Sequence, residues 1–168
     1  MSGLAFKIAY LSLGSNVGAR EENLQAALDL LAASDVRLRR ISPVYETEPV
    51  DLPGQRWFLN MVVEVETTLF PMQFLDRVLG IERKMGRRRV VPKGPRTIDI
   101  DIVFFGKAVI RSARLEVPHP RFRERRFVLA PLADLAPEFR DPVTRRTVRE
   151  LFGAAEKQAV RKSDFQPT

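Results

Sequence analysis

The sequence predicts an α+β fold. It has a βαββαβ core with a mostly antiparallel sheet, helices packed on that sheet, and a C-terminal strand and helix extension. Three observations predict this. Apolar residues recur at every second position in some segments and at every third or fourth in others, in the order strand, helix, strand, strand, helix, strand. Glycine, proline and small polar residues fall between those segments. The last third of the chain breaks this rhythm and reads as an addition to the core.

Phe6 to Leu13 is apolar at successive positions, as in a strand buried on both faces. Gly14-Ser15-Asn16 are turn formers and are expected to end it. Glu21 and Glu22 suit a helix start, and Leu24, Ala27, Leu28 and Leu31 follow one helical face. Val36 to Ile41 reads as a strand that Val44 to Thr47 continues past Pro43. Val50 to Gln55 contains Pro53-Gly54 and reads as a loop. Phe58 to Glu66 alternates: Leu59, Met61, Val63 and Val65 take one face, while Phe58, Asn60, Val62, Glu64 and Glu66 take the other. Pro71 suits a first helical turn, and Phe74, Val78, Ile81 and Met85 follow at helical spacing up to Gly86. Arg87 to Pro95 is a basic loop, and Ile98 to Phe105 is a strand. This order is the ferredoxin-like arrangement. Leu115 to Val117 reads as a short strand, and Pro118-His119-Pro120 as a turn. Phe127 to Leu135 reads as a helix interrupted at Pro131. Thr147-Val148-Arg149-Glu150 matches a capping box ahead of a last helix whose apolar face is Val148, Leu151, Phe152 and Ala155. Gln166 to Thr168 is expected to fray. The whole reads as one domain over residues 4–165.

A chain of 168 residues with 45% hydrophobic and 29% charged residues suits a single globular domain with a full core. With no cysteine there is no disulfide framework, thiolate metal site or cysteine nucleophile. No apolar run approaches the ~18 residues of a membrane span. Met1 to Leu4 lacks the basic and apolar pattern of a signal peptide, so the expected location is the cytoplasm. A net charge of +7 favours polyanionic partners, either nucleic acid or phosphorylated small molecules. The charge is densest at Arg83–Arg96 and Arg121–Arg126, two clusters rather than a continuous stripe.

Asp99 and Asp101 stand two apart in a strand, so both project to one face, roughly 7 Å from each other. Two readings fit: a solvated strand face, or a site for hard divalent cations that take oxygen ligands. The neighbours favour the second. Gly94-Pro95 forces a turn just before Arg96, and the strand carrying the acids is expected to lie centrally in the sheet. Arg87, Arg88, Arg89, Lys93 and Arg96 make a basic loop anchored beside the acids, suited to closing over phosphates. His119 is the sole histidine and is followed by a basic run, which suits either a structural or a phosphate-binding group. Asn60 is an uncharged polar residue inside a strand, and an amide buried there needs partners. Neither a Walker loop nor a Rossmann fingerprint occurs.

Taken together, Tyr10-Leu-Ser-Leu-Gly-Ser-Asn16, Tyr45-Glu-Thr-Glu-Pro49, Phe58-Leu-Asn60, Gly94-Pro-Arg-Thr-Ile-Asp-Ile-Asp101, Val117-Pro-His-Pro120 and Arg125-Arg-Phe127 resemble the 6-hydroxymethyl-7,8-dihydropterin pyrophosphokinases of folate biosynthesis. The resemblance runs nearly end to end, and its Gly94–Asp101 segment is the most specific part. It implies transfer of the β,γ-pyrophosphate of ATP, the co-substrate, to the pterin hydroxymethyl oxygen, with release of AMP. It also implies two magnesium ions held by Asp99 and Asp101. Arg87 and Arg96 are then the catalytic arginines, with Arg89 assisting on ATP. His119 and Arg125 bind phosphate oxygens, and Leu75, Ile102 and Arg114 lie near the adenosine. Phe58 and Phe127 sandwich the pterin, whose edge is read by Thr47, Asn60 and the backbone of Val50. Lys93 stands where some members carry tryptophan. The expected partners are these two small molecules, with no nucleic acid and no membrane, and the chain is expected to act as a monomer.

Two other classes compete. An RNA-binding ferredoxin-like module predicts exposed aromatics on the sheet within an RNP-like sequence; no such motif occurs, and acids stand where RNA would lie. A metal-dependent nuclease would use the same carboxylates with further acids, and Glu82 is not obviously aligned with them.

Overall fold

The computed structural model describes residues 5–49, 54–86 and 97–168. Strand β1 is Lys7–Ser15, and helix α1 is Arg20–Leu31. Strands β2 (Val36–Ile41), β3 (Tyr45–Thr47) and β4 (Phe58–Thr67) follow. Helix α2 spans Pro71–Lys84, and strand β5 spans Asp99–Phe105. A small ribbon pairs β6 (Ile110–Arg111) with β7 (Glu116–Val117). After a 3-10 turn at Phe122–Glu124 come α3 (Arg126–Leu135), α4 (Val148–Ala154) and β8 (Val160–Lys162).

The main sheet runs β5-β1-β4-β3-β8, with β2 also pairing β4. Every pairing in it is antiparallel. The elements from β1 to β5 therefore have the ferredoxin-like order, with β2 and β3 together standing for one strand and sharing one long partner on either side of Pro43. This corrects the central placement expected for the acidic strand. Among the described residues β5 pairs within the sheet with β1 alone and so forms its edge. The second crossover through α2 returns the chain to the free side of β1, because the other side already holds β4.

Both faces of the sheet are covered. Leu11, Leu13, Leu59, Met61, Ile100 and Ile102 pack with Leu24, Leu28, Phe74 and Val78 of α1 and α2. Tyr10, Val62, Val103 and Phe104 pack on the other face with Phe122, Leu129, Leu132 and Val148. The C-terminal extension is thus the second wall of the core. Burying a phenylalanine such as Phe74 or Phe122 completely contributes about 1.5–3 kcal/mol. The added layer encloses Glu64, which sequence alternation set beside the half-buried Glu66. Glu64 accepts the Tyr10 hydroxyl at 2.5 Å and a bidentate pair of bonds from Arg40 at 2.9 and 2.8 Å.

Three further readings are corrected. Gly14 belongs to β1 rather than to a turn, and the strand ends one residue later at Ser15; the two pair opposite Asn60 and Leu59. Helix α3 runs through Pro131 without a break. The terminus is docked rather than frayed: Thr168 N donates to Gln25 Oε1 at 2.8 Å, and Gln25 Nε2 donates to Thr168 O at 3.0 Å. The capping box is present as expected, with Glu150 N donating to Thr147 Oγ1 and Thr147 N to Glu150 Oε1, each at 3.1 Å.

Candidate active site

Strand pairing builds the site. Residues opposed in antiparallel strands project to one face, so register lines side chains up across the sheet. Tyr45 opposes Asn60, Asn60 opposes Gly14, and Gly14 opposes Asp99. The next row is Val62, Ser12 and Asp101. Asn60 and Asp99 therefore lie on the same face, two inter-strand steps or roughly 10 Å apart. Asp99 and Asp101 are half-buried, while Ile100 and Ile102 are buried in the opposite face, as the alternation requires. Phe58 pairs with Thr47 and joins the same face two residues before Asn60.

Asn60 is 4% exposed and donates through Nδ2 to Thr47 Oγ1 at 2.6 Å. Its other amide atom leans over Gly14, where any Cβ would collide with Asn60 Oδ1 and approach the Phe58 ring. That close approach is what requires glycine here. The amide is thus held from two sides, in a recess floored by Gly14 and flanked by Phe58.

Helix α3 brings Arg125 and Phe127 over this face. Its first residues pack against the β4 side of the sheet, and the Arg125 guanidinium lies 5.6 Å from the centre of the Phe127 ring. His119 is fixed at the edge of β5, where its backbone N–H donates to Val103 O at 3.0 Å. Its Nδ1 accepts from Arg121 N at 3.1 Å, so the proton of the neutral ring sits on Nε2. Burial first, and then the nearby Arg125, press the His119 pKa down to about 4, while Asp99 pulls it the other way. His119, Arg125 and Asp99 therefore share one electrostatic neighbourhood, with a neutral imidazole able to donate to an anion. The rest of the basic run has other partners. Arg123 pairs with the buried Asp141 at 2.5 Å, Arg121 with Glu124 at 3.6 Å, and Arg126 stacks over Phe152 at 4.8 Å.

The chain from residue 10 to 137 matches the family model of 7,8-dihydro-6-hydroxymethylpterin-pyrophosphokinase. The chain belongs to this pyrophosphokinase family. It is 46% identical over 138 residues to the 2-amino-4-hydroxy-6-hydroxymethyldihydropteridine pyrophosphokinase of Bacillus subtilis, covering 82% of this chain and 83% of that one. It is 42% identical over 156 residues to the Schizosaccharomyces pombe folic acid synthesis protein fol1, covering 92% of this chain but 21% of the fungal one. A Plasmodium falciparum HPPK-DHPS structure solved with pteroate shares the fold at a TM-score of 0.73 and 18% identity, over 90% of this chain and 45% of that chain. The chain thus spans most of the Bacillus pyrophosphokinase and a fraction of the fungal and Plasmodium proteins.

Of the residues expected in a pyrophosphokinase site, Asp99, Asp101, Thr47, Phe58, Asn60, His119, Arg125 and Phe127 gather on or above one sheet face. Leu75 and Ile102 do not join them: both pack with the α1 and α2 core on the opposite side. Arg114 pairs there with Asp76 of α2 at 2.7 Å. Val50, Arg87, Arg88, Arg89, Lys93 and Arg96 lie outside the described residues.

Glu82 is a neighbour that sequence reasoning left unaligned. It is 3% exposed, and its Oε2 accepts the Ile100 N–H at 2.8 Å, between the two aspartates. The available signal was an acid at the buried end of an otherwise apolar helical face, next to Ile81. Among the described residues no group of three or more acidic, histidine or cysteine side chains is arranged to hold a metal ion. The donor set facing the site is a pair of hard carboxylates. That set fits magnesium, which takes one or two carboxylates and completes its shell with water and substrate phosphates.

Proposed function

We propose that this chain transfers the β,γ-pyrophosphate of ATP to 6-hydroxymethyl-7,8-dihydropterin. The hydroxymethyl oxygen forms a bond to the β-phosphorus and loses its proton. The bond from that phosphorus to the α-bridging oxygen breaks, and AMP departs with the oxygen. The observation that carries this reading is the sheet row joining Asn60, Gly14 and Asp99. It puts the Asn60 amide and the Asp99 carboxylate on one face, roughly 10 Å apart, which supports a heterocycle at one end and a cation-bound phosphate at the other.

In this reading Asn60 and Thr47 hydrogen-bond the pterin edge together with the Val50 backbone, and Phe58 and Phe127 enclose the ring. Asp99 and Asp101 hold two magnesium ions. When bound, such ions neutralise phosphate charge and align the two reacting oxygens. His119, neutral with Nε2–H available, and Arg125 take phosphate oxygens. Arg87, Arg89 and Arg96 complete the charge neutralisation, and the adenosine would pass the β5 edge to the α2 side, where Leu75, Ile102 and Arg114 stand. Phosphoryl-type transfer asks the protein for alignment and charge compensation rather than covalent help. The described side chains match that demand. The reading includes a monomer acting in the cytoplasm.

The RNA-binding alternative meets a physical obstacle, because both faces of the sheet are covered by helices. Incubation with ATP, magnesium and the hydroxymethyl pterin tests the proposal. AMP and the pterin diphosphate are expected in equal amounts. Release of ADP, or ATP consumption that does not depend on pterin, refutes it.

A further inference from the structure

Past residue 137, where the family-model match ends, the chain returns to the site as a strap. Strand β8 pairs with β3, Val160 opposite Thr47 and Lys162 opposite Tyr45. Glu48, the residue after Thr47, is gripped three ways. Its N–H donates to Ala159 O at 3.1 Å, its Oε1 accepts Ala159 N at 2.7 Å, and its carbonyl accepts Gln158 Nε2 at 2.7 Å. The other end of the same Gln158 amide, Oε1, accepts the Phe127 N–H at 3.1 Å. Beyond β8 the strap stays anchored: Ser163 N donates to Val44 O at 2.8 Å, and Phe165 packs against the core.

Phe127 is the second residue of α3, so its N–H is one of the donors that a helix start leaves without an internal partner. The residue at the cap, Arg125, offers no side-chain acceptor. Gln158 supplies the missing acceptor from 31 positions away. Its second bond goes to the backbone just after Thr47. A single planar amide thus spans the two walls of the recess, with Thr47 at the end of β3 on one side and Phe127 at the start of α3 on the other. With both amide atoms engaged, the separation of the walls is set within hydrogen-bond tolerance.

We infer that Gln158 is a positioning residue for the pterin: it fixes the Phe127 wall against the Thr47 wall and so sets the width of the ring-binding recess. The inference rests on the pterin reading of that recess. Gln158 touches neither substrate; it acts through Phe127 and Glu48.

Two variants test it. Gln158→Met keeps the length of the side chain and removes both bonds. Gln158→Glu keeps an acceptor for Phe127 N–H and loses the donor to Glu48 O, and it carries the test if the methionine variant does not fold. Equilibrium titration with 6-hydroxymethyl-7,8-dihydropterin and, separately, with magnesium and a non-hydrolysable ATP analogue gives the two affinities. Expected are an approximately tenfold loss of pterin affinity in Gln158→Met, a smaller loss in Gln158→Glu, and ATP-analogue affinity unchanged within about twofold. Amide exchange at Phe127 should accelerate in Gln158→Met alone. The inference is overturned if pterin affinity stays within about twofold in both variants. It is overturned equally if the two affinities fall by the same factor, as general loosening would produce. Failure of the unmodified protein to bind the pterin would instead bring down the functional reading itself, and the inference with it.

Discussion

Gly14→Ala isolates the recess from the rest of the fold. Gly14 lies inside β1 with ordinary strand pairing, so alanine meets no backbone penalty there. The obstacle is the added Cβ, which would collide with Asn60 Oδ1. Asn60 is 4% exposed and cannot retreat into solvent. Overpacking of this kind costs about 1–3 kcal/mol. If the amide rotates away instead, its 2.6 Å bond to Thr47 is lost, and the polar groups left buried cost about 1–3 kcal/mol. Either route predicts a melting temperature lower by about 2–12 °C for a chain of this size. Both displace the amide proposed to read the pterin, so pterin affinity should fall about 10- to 100-fold. Magnesium-ATP affinity should stay within about twofold, because Asp99 and His119 are untouched. Calorimetric titration with each ligand, beside thermal melting, measures all three. Gly80→Ala is the control: its new Cβ would meet only Arg83 Nη2 at 3.8 Å, and in a helix interior alanine should stabilise by about 0.5–1 kcal/mol. Pterin affinity within twofold of the unmodified protein in Gly14→Ala would refute the placement of the pterin against Asn60.

Asp99→Asn should lower turnover by about 100-fold and raise the magnesium concentration needed for half-maximal rate, leaving pterin binding intact; a magnesium titration of initial rates checks this. Phe127→Ala removes one face of the recess and should weaken the pterin by about 1–3 kcal/mol with ATP affinity preserved, read by the same titrations. Glu64 gives a pH dependence. The Arg40 hydrogen bonds hold its carboxyl below its ordinary value of 4.5, against the opposing effect of burial. A depressed folded-state value means the stabilisation is complete above pH ~4.5 and is lost as pH falls through the folded value. Melting temperature should drop on acidification below pH ~4.5, and Glu64→Gln should flatten that part of the profile; an unchanged slope would count against the assignment.

What was legible in the sequence had a local cause. Strand alternation put Asp99 with Asp101, and Asn60 away from Leu59 and Met61, because period-two geometry needs no knowledge of partners. What was illegible depended on distant pairing. Glu64 and Glu66 look alike in a strand pattern, yet only Glu64 lies under the C-terminal layer, where it bonds Tyr10 and Arg40. Gly14 carries the signature of a turn, and only the opposed Asn60 shows why glycine is needed inside the strand. Strand β8 has three residues with no alternation of their own, and it exists because β3 offers an edge. Gln158 was invisible for the same reason: neither of its partners, Phe127 N–H and Glu48 O, differs in sequence from any other backbone group.

The edge position of β5 explains how carboxylates, histidine and helix end come together. The register between β1 and β5 shifts where Leu11 opposes Ile102 and Tyr10 opposes Phe104, which leaves Val103 as an extra residue. Such a bulge turns one peptide group out of the ladder and bends the strand. Val103 and Phe104 accordingly point to the same core, and the Val103 carbonyl accepts from His119. Two residues before the bulge Asp101 still faces the α3 side, and three before it the outward N–H of Ile100 is taken by Glu82. An edge strand left bare would offer these groups to another chain. Here a helix side chain takes the Ile100 N–H and the His119 turn takes the Val103 carbonyl, so these two edge groups are not offered for pairing. The aspartates on its face remain half-buried rather than covered by a further strand. A central strand would have surrounded the same two carboxylates with neighbours on both sides. At the edge, in the proposed reaction, a polyphosphate would reach them from one flank while the proposed pterin recess lies on the other.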